Sequence, residues 1–226
     1  MIEATARVQA KLVFCDNLYM YEPGSTGMMT EESPLRSTGT KSRLRARMAA
    51  DILAAHRSGT VRSTIGRSSD YIGENGRNSA LGERLFDAVL TGRKARWLGS
   101  LDVPHTVSYL RDMGRAYVEL GESTRSDGQL WHLPAAPPVT GRTFLEMVFR
   151  EAGRAPRLAA TSPATVRLAG LFVPLIREIG DVMYQWTEPF VSDWSKFREV
   201  FGPFEPTPLE EAVRSTFAWF AEHRTK

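Results

Sequence analysis

The feature that most constrains this chain is a short apolar run, Leu12 to Cys15, that stops abruptly at Asp16-Asn17 and continues into Tyr19 and Tyr21. A continuous apolar run of this length is the pattern of a strand buried on both faces of a parallel sheet. Its polar end predicts a carboxyl edge that opens into a crevice, which is where open α/β sheets bind ligands. The next segments extend the pattern. Glu22 to Thr40 reads as a polar loop, and Leu44, Met48, Ile52 and Leu53 form an apolar stripe at helical spacing that ends at His56–Gly59. Thr60 to Gly66 reads as a second strand, with Arg67 to Gly73 as its carboxyl edge. Strand, helix and strand at this spacing make a parallel βαβ unit with a right-handed crossover.

Downstream, a helix is expected over Ser79–Leu90 with Leu81, Leu85, Phe86 and Leu90 inward, then a short strand at Arg96–Leu98. Thr106–Leu110 reads as a strand, and Asp112 as the cap of a helix reaching Leu120. Gln129–Leu133 is a further strand. Thr140 caps a helix to Glu151, and Ser162-Pro163 opens another with proline at its first position. A helix is expected from about Leu175 to Tyr184. The last one starts at the capping-box pattern Thr207-Pro208-Leu209-Glu210 and runs through Trp219.

The 226 residues, 42% apolar and 24% charged, suit one globular domain with a sizeable core. The net charge of +3 comes from scattered arginines. The densest cluster, Lys41, Arg43, Arg45 and Arg47, alternates every second residue and so spreads around a helix instead of forming one stripe. Aromatic interleaving is absent there, so no nucleic-acid groove is expected. The single cysteine, Cys15, excludes an internal disulfide and suits a reducing, cytoplasmic setting, where it reads as a small core residue. The longest apolar run, Leu168 to Ile176, is too short to span a bilayer, and no basic-then-apolar leader is visible, so no membrane partner is expected. The four histidines are spread singly, which predicts no metal site and only capping or surface roles. Glu31-Glu32 reads as a solvated loop, and Tyr184, Trp186, Phe190 and Trp194 as core aromatics.

The strand-end patterns Phe14-x-x-Asn17-x-Tyr19-x-Tyr21 and Arg67-x-x-Asp70-Tyr71-x-Gly73 resemble those of the extended short-chain dehydrogenase/reductases, the NAD-dependent epimerase/dehydratase group. His105 to Ala116, Trp131 to Ala135, Asp193 to Phe197 and Phe201 to Val213 resemble later segments of that family in the same order. The resemblance implies an α/β fold: an incomplete Rossmann-like, doubly wound parallel sheet with a small, mostly helical C-terminal substrate lobe. That lobe would lie mainly in residues 79–100 and 135–226, interleaved with a sheet portion in 1–78 and 101–134. It also implies NAD or NADP as cofactor, a nucleotide-sugar or related small molecule as substrate, and a homodimer as an allowed assembly.

Two departures bear on activity. The family's dinucleotide site opens with a glycine-rich turn, yet among the 18 glycines no two are separated by a single residue. The chain therefore looks like the family's C-terminal portion, with its first βα units expected upstream. The family's Tyr-x-x-x-Lys acid/base pair is also missing: the residues four before the five lysines are Arg7, Ser37, Leu90, Ser192 and Glu222. The Tyr slot falls at Lys41, the Lys slot at Arg45, and the Ser slot at Asp16 or Asn17. An arginine does not exchange protons near neutral pH. By resemblance, Asp16, Asn17, Tyr21, Lys41 and Arg45 occupy the catalytic positions, with Tyr19 or Tyr21 as a substitute phenol. Arg67, Ser68 and Ser69 take cofactor-binding positions. Asp70, Arg93 and Arg96 take substrate-binding ones. Arg67 is also expected to pair with Asp16 or a backbone carbonyl. The alternative is a non-catalytic remnant that binds a ligand or partner.

Overall fold

The computed structural model describes residues 1–22, 28–35, 39–173 and 178–224. After helix α1 (Ile2–Arg7), strand β1 (Lys11–Asn17) pairs in parallel with β3 (Arg62–Ser68), and β3 pairs in parallel with β8 (Leu130–His132), giving the order β1-β3-β8. The register sets Asp16 opposite Arg67 and Asn17 opposite Ser68, and Arg67 opposite His132. All three strands therefore end together, and their carboxyl edge is one polar rim.

Helices cover both faces. Helix α2 (Thr40–Arg57) lies on the face that buries Leu12, Phe14 and Ile65, through Ala49 and Ile52. Helix α4 (Leu110–Glu122) lies on the other, where Met113, Ala116 and Leu120 pack with Trp131 and Leu133 and with Val13 of β1. This is the doubly wound α/β arrangement that the βαβ pattern implies.

Shorter pairs extend the frame: β2 (Met28–Met29), β4 (Tyr71–Ile72), helix α3 (Glu83–Leu90), β5 (Ala95–Leu98), β6 (Pro104–His105) and β7 (Ser108–Tyr109) precede β8. After it come β9 (Val139–Thr140), α5 (Gly141–Glu151), β10 (Leu158–Thr161), α6 (Pro163–Gly170), α7 (Tyr184–Thr187), β11 (Val191–Ser192), α8 (Ser195–Phe201) and α9 (Leu209–Glu222). The largest apolar cluster joins α3, β5, α5 and α9 through Phe86, Trp97, Phe144, Phe149, Val213 and Phe220. Strands β5 and β10 pair in parallel beside it, and β11 pairs with β2.

Several local expectations are corrected. The second strand runs two residues later, because Gly59, at φ +74°, closes α2 and Val61 N–H turns back to Ala55 O. In α2, Leu44 is 55% exposed, and Ser42 takes the inward position because its hydroxyl donates to Tyr19 O at 2.7 Å. Cys15 is exposed, not core, because β1 is the outer strand of the described sheet. The expected loop at 22–40 contains β2, and Glu31 is half-buried, its carboxylate accepting from His132 N–H at 2.8 Å.

Thr106 and Thr207 also behave differently from their sequence signals. Only Ser108–Tyr109 is strand, and Asp112 lies inside the first turn of α4 instead of capping it. Thr207 does not cap α9, whose N-terminal flanking residue is Pro208. Thr140 and Ser162 do cap their helices, accepting from Thr143 N–H and Thr165 N–H at 3.2 Å each. The helix expected from Leu175 begins outside the described residues.

Candidate functional site

The carboxyl ends of β1 and β3 open on a cavity of about 220 Å³ lined by Cys15 to Tyr19, Arg45, Ser68 to Tyr71, Met113, Gln185 and Phe190. Each contribution follows from the chain path. The apolar part of β1 is clamped between helices, so Asp16 to Tyr19 are carried to the rim. Arg45 lies one turn beyond the start of α2 and points back over it. Asp70 follows β3 directly, held where Ser108 N–H donates to its carbonyl at 2.8 Å.

The floor is an ion pair. Arg67 Nε donates to Asp16 Oδ2 at 3.0 Å, with both side chains almost fully buried. Arg45 approaches the other carboxylate oxygen at 3.6 Å from a partly exposed position. Asp16 thus faces two guanidinium groups, which offsets the cost of burying its charge. Arg67 also lies over the Tyr21 ring, 4.8 Å from its centroid.

The wall carries a second pair. His105 Nε2 lies 3.0 Å from Asp70 Oδ2, and His105 Nδ1 lies 3.1 Å from Gln185 O. The imidazole is buried, stacked against Trp186 and Phe190 with Trp97 edge-on. Tyr19 faces the same space. Burial, then the nearby Asp70 carboxylate, pushes its phenol up to about 12 against the pull of Arg45. It stays protonated at neutral pH and can donate a hydrogen bond, but it is not an available base. Tyr21 is likewise pushed to about 12, chiefly by burial.

The structure brings Asp16, Asn17, Arg45, Ser68, Ser69 and Asp70 to this cavity. Arg67 lies beneath it, engaged with Asp16. Tyr21 is fully buried behind the rim, edge-on to His132. Lys41 sits outside the lining, its ammonium 3.3 Å from Glu178. Arg93 and Arg96 are not brought to the cavity either. Arg93 pairs with Asp87 and donates to Thr91 Oγ1 at 2.8 Å at the end of α3, and Arg96 is on the exposed face of β5.

Sequence reasoning missed His105, Tyr71 and Gln185. The reading of the histidines as capping or surface residues is corrected for two of them, since His105 and His132 are both buried. A signal existed at Gln185, a lone amide between Tyr184 and Trp186, because a polar residue inside an aromatic cluster needs partners. Among the described residues no group of three or more His, Cys, Asp or Glu could hold a metal ion, and no helix is long and apolar enough to cross a membrane.

No family model matches this sequence, and no curated protein does. Solved structures do. A dTDP-glucose 4,6-dehydratase from Streptomyces venezuelae, DesIV, bound to NAD and TYD, superposes with a TM-score of 0.77 at 16% identity, over 99% of this chain and 64% of its own. A UDP-glucuronic acid 4-epimerase from Bacillus cereus in complex with NAD gives 0.75 at 13%, over 98% and 63%. The protein gox2253 gives 0.77 at 16%, over 99% and 70%. The fold is that of the NAD-dependent epimerases and dehydratases. This chain spans about two thirds of the length of these structures.

A dinucleotide needs a close backbone approach at a helix N-terminus for its pyrophosphate. Among the described residues, the turn after β1 is filled by the buried side chains of Leu18, Met20 and Tyr21, and α2 begins after the single Gly39. A cavity of about 220 Å³ also falls below the usual range for a whole cofactor. The described residues therefore do not fit a complete NAD, and no chemical step is routed through it.

Proposed function

We propose that this chain is an epimerase/dehydratase-like protein whose cavity binds one polar ring, of the kind a nucleotide-sugar carries, without tyrosine-driven proton transfer. The helical lobe, residues 79–100 and 135–226, would hold the remainder of the substrate. NAD or NADP would join it only where a pyrophosphate cradle is supplied in addition to the described residues. The observation that carries this reading is the cavity itself: Asp16, Asn17, Tyr19, Arg45 and Asp70 converge at the strand ends, while Tyr19 is held protonated. The Asp70 carboxylate, the Asn17 amide, the Tyr19 phenol and the Arg45 guanidinium around one cavity suit the alternating donors and acceptors of a polyhydroxylated ring.

Calorimetry with dTDP-glucose, UDP-glucuronic acid and NADH tests it. Binding of either sugar nucleotide, weakened by Arg45→Ala, is expected, with NADH binding absent or much weaker. No binding of either sugar nucleotide at millimolar concentration would overturn the reading. The second reading, an NAD-dependent enzyme, is favoured by the NAD-bound structures of the same fold. Turnover of dTDP-glucose by the isolated chain with NAD would select it.

A further inference from the structure

The Asp70–His105 contact sets a donor count that ordinary protonation states do not satisfy. Gln185 O can only accept, so His105 Nδ1 must carry hydrogen across the 3.1 Å contact. Nε2 then faces Asp70 Oδ2 at 3.0 Å, and that contact needs a hydrogen too. A neutral imidazole beside an ionised carboxylate would leave two acceptors facing each other in a buried site. One further proton must sit between them, on Nε2 or on the carboxyl.

The surroundings hold this geometry. Trp186 and Phe190 sandwich the ring at centroid distances of 4.5 and 5.4 Å, and Trp97 meets it edge-on at 5.7 Å. Backbone bonds fix the flanks: Thr106 N–H donates to Phe190 O and Phe190 N–H to Pro104 O, each at 2.9 Å. None of these packed side chains is charged. The titratable or charged groups that share the cavity with Asp70 are Cys15, Asp16, Tyr19, Arg45 and Tyr71, all on the Asp70 side. His105 lies behind the wall at 1% exposure, whereas the Asp70 side chain is 11% exposed and lines the cavity.

We propose that Asp70 and His105 share one proton, with Asp70 as the ligand-contacting group of the cavity and His105 as the positioning residue that orients it. Resting on the proposed ring-binding role, Asp70 presents its second oxygen to a ligand hydroxyl while the first stays tied to the imidazole. The pair is then a built-in hydrogen-bonding post whose direction is set from the helical side of the molecule, through Gln185.

Two arms test this on the full chain. In the first, nitrogen and carbon NMR at pH 7 reads the protonation of His105 and Asp70 without any ligand. Either a doubly protonated ring or a protonated Asp70 carboxyl is expected. Asp70→Asn, whose amide can donate to Nε2, should leave a ring protonated only at Nδ1. A neutral ring beside an ionised Asp70, or a doubly protonated ring that survives Asp70→Asn, overturns the proposal. In the second arm, His105→Phe keeps the aromatic stack and loses the donor, and His105→Gln returns one. A roughly tenfold loss of dTDP-glucose affinity in the first, recovered in the second, is expected for one hydrogen bond to a charged group. Equal losses in both variants, or none, overturn the positioning role. If the unmodified chain binds no dTDP-glucose, the ring-binding reading fails, and the NMR arm alone decides the shared proton.

Discussion

Asp112 accepts two hydrogen bonds from Thr207, one at 2.7 Å from its backbone N–H and one at 3.0 Å from its hydroxyl, across 95 residues of chain. Its side chain is 2% exposed and its carboxylate also meets Arg115 at 3.0 Å. The contact fastens the segment leading into α9 to the helix that covers the sheet. Removing the carboxylate strands a backbone donor as well as losing charge-assisted bonds. Asp112→Ala should therefore cost about 3 kcal/mol, and Asp112→Asn about half of that. Urea unfolding checks this. An Asp112→Ala midpoint equal to that of the parent would show the contact to be dispensable.

The buried pair Asp16–Arg67 should be expensive to break and cheap to replace. Removing one partner leaves a charge with no solvent, at about 3–5 kcal/mol, whereas replacing both with apolar side chains of similar size is often neutral. Arg67→Met and Asp16→Leu are each expected to be strongly destabilised, and the double variant much less so. A double-mutant cycle gives the coupling. Additive single effects would mean that the two side chains act independently.

His132 ties acid stability to the rim. Its Nδ1 lies 3.0 Å from Asp193 O in a ring that is fully buried, so a second proton would place a charge out of reach of solvent. Burial first, and Arg67 second, lowers its folded pKa from 6.5 to about 3. The unfolded chain then binds the extra proton between those values, so this contribution is complete above about pH 6.5 and is lost as pH falls toward 3. Near its steepest it amounts to about 1.4 kcal/mol per pH unit. His132→Gln should flatten the acid limb of a stability–pH curve. An unchanged slope between pH 4 and 6 would refute this assignment.

Periodicity and strand ends made the βαβ frame and the polar rim legible, because a doubly covered parallel sheet demands continuous apolar strands whatever surrounds it. Asp16, Asn17 and Asp70 were legible for a related reason: each lies in the polar stretch at the carboxyl end of a strand. Lys41 was misplaced because a helix's rotation depends on which of its residues meets the neighbouring strand end, here Ser42 donating to Tyr19 O, and Tyr21 because a non-local bridge to Leu35 holds it where its side chain is fully buried. Asp112 and Thr207 carried correct capping chemistry with the wrong partner. A short polar side chain satisfies a distant backbone as readily as its own helix. His105 was invisible because its partners, Asp70 and Gln185, lie 35 and 80 residues away.

Cys15 offers a direct reading of the cavity. It is the single cysteine of the chain, it is exposed, and it lines the same space as Asn17 and Tyr19. It stands opposite Gly66 in the sheet, over which the Tyr117 hydroxyl donates to Gly66 O at 3.1 Å. A thiol-specific reagent should therefore label one site per folded chain, and Cys15→Ser should abolish the labelling. If the cavity holds the ring of dTDP-glucose, the ligand and the reagent compete. At ten times the dissociation constant about one chain in eleven is free, so labelling should slow about tenfold. Labelling that proceeds only after denaturation would place Cys15 away from the cavity mouth. Labelling at an unchanged rate under saturating dTDP-glucose would mean that the sugar nucleotide binds elsewhere.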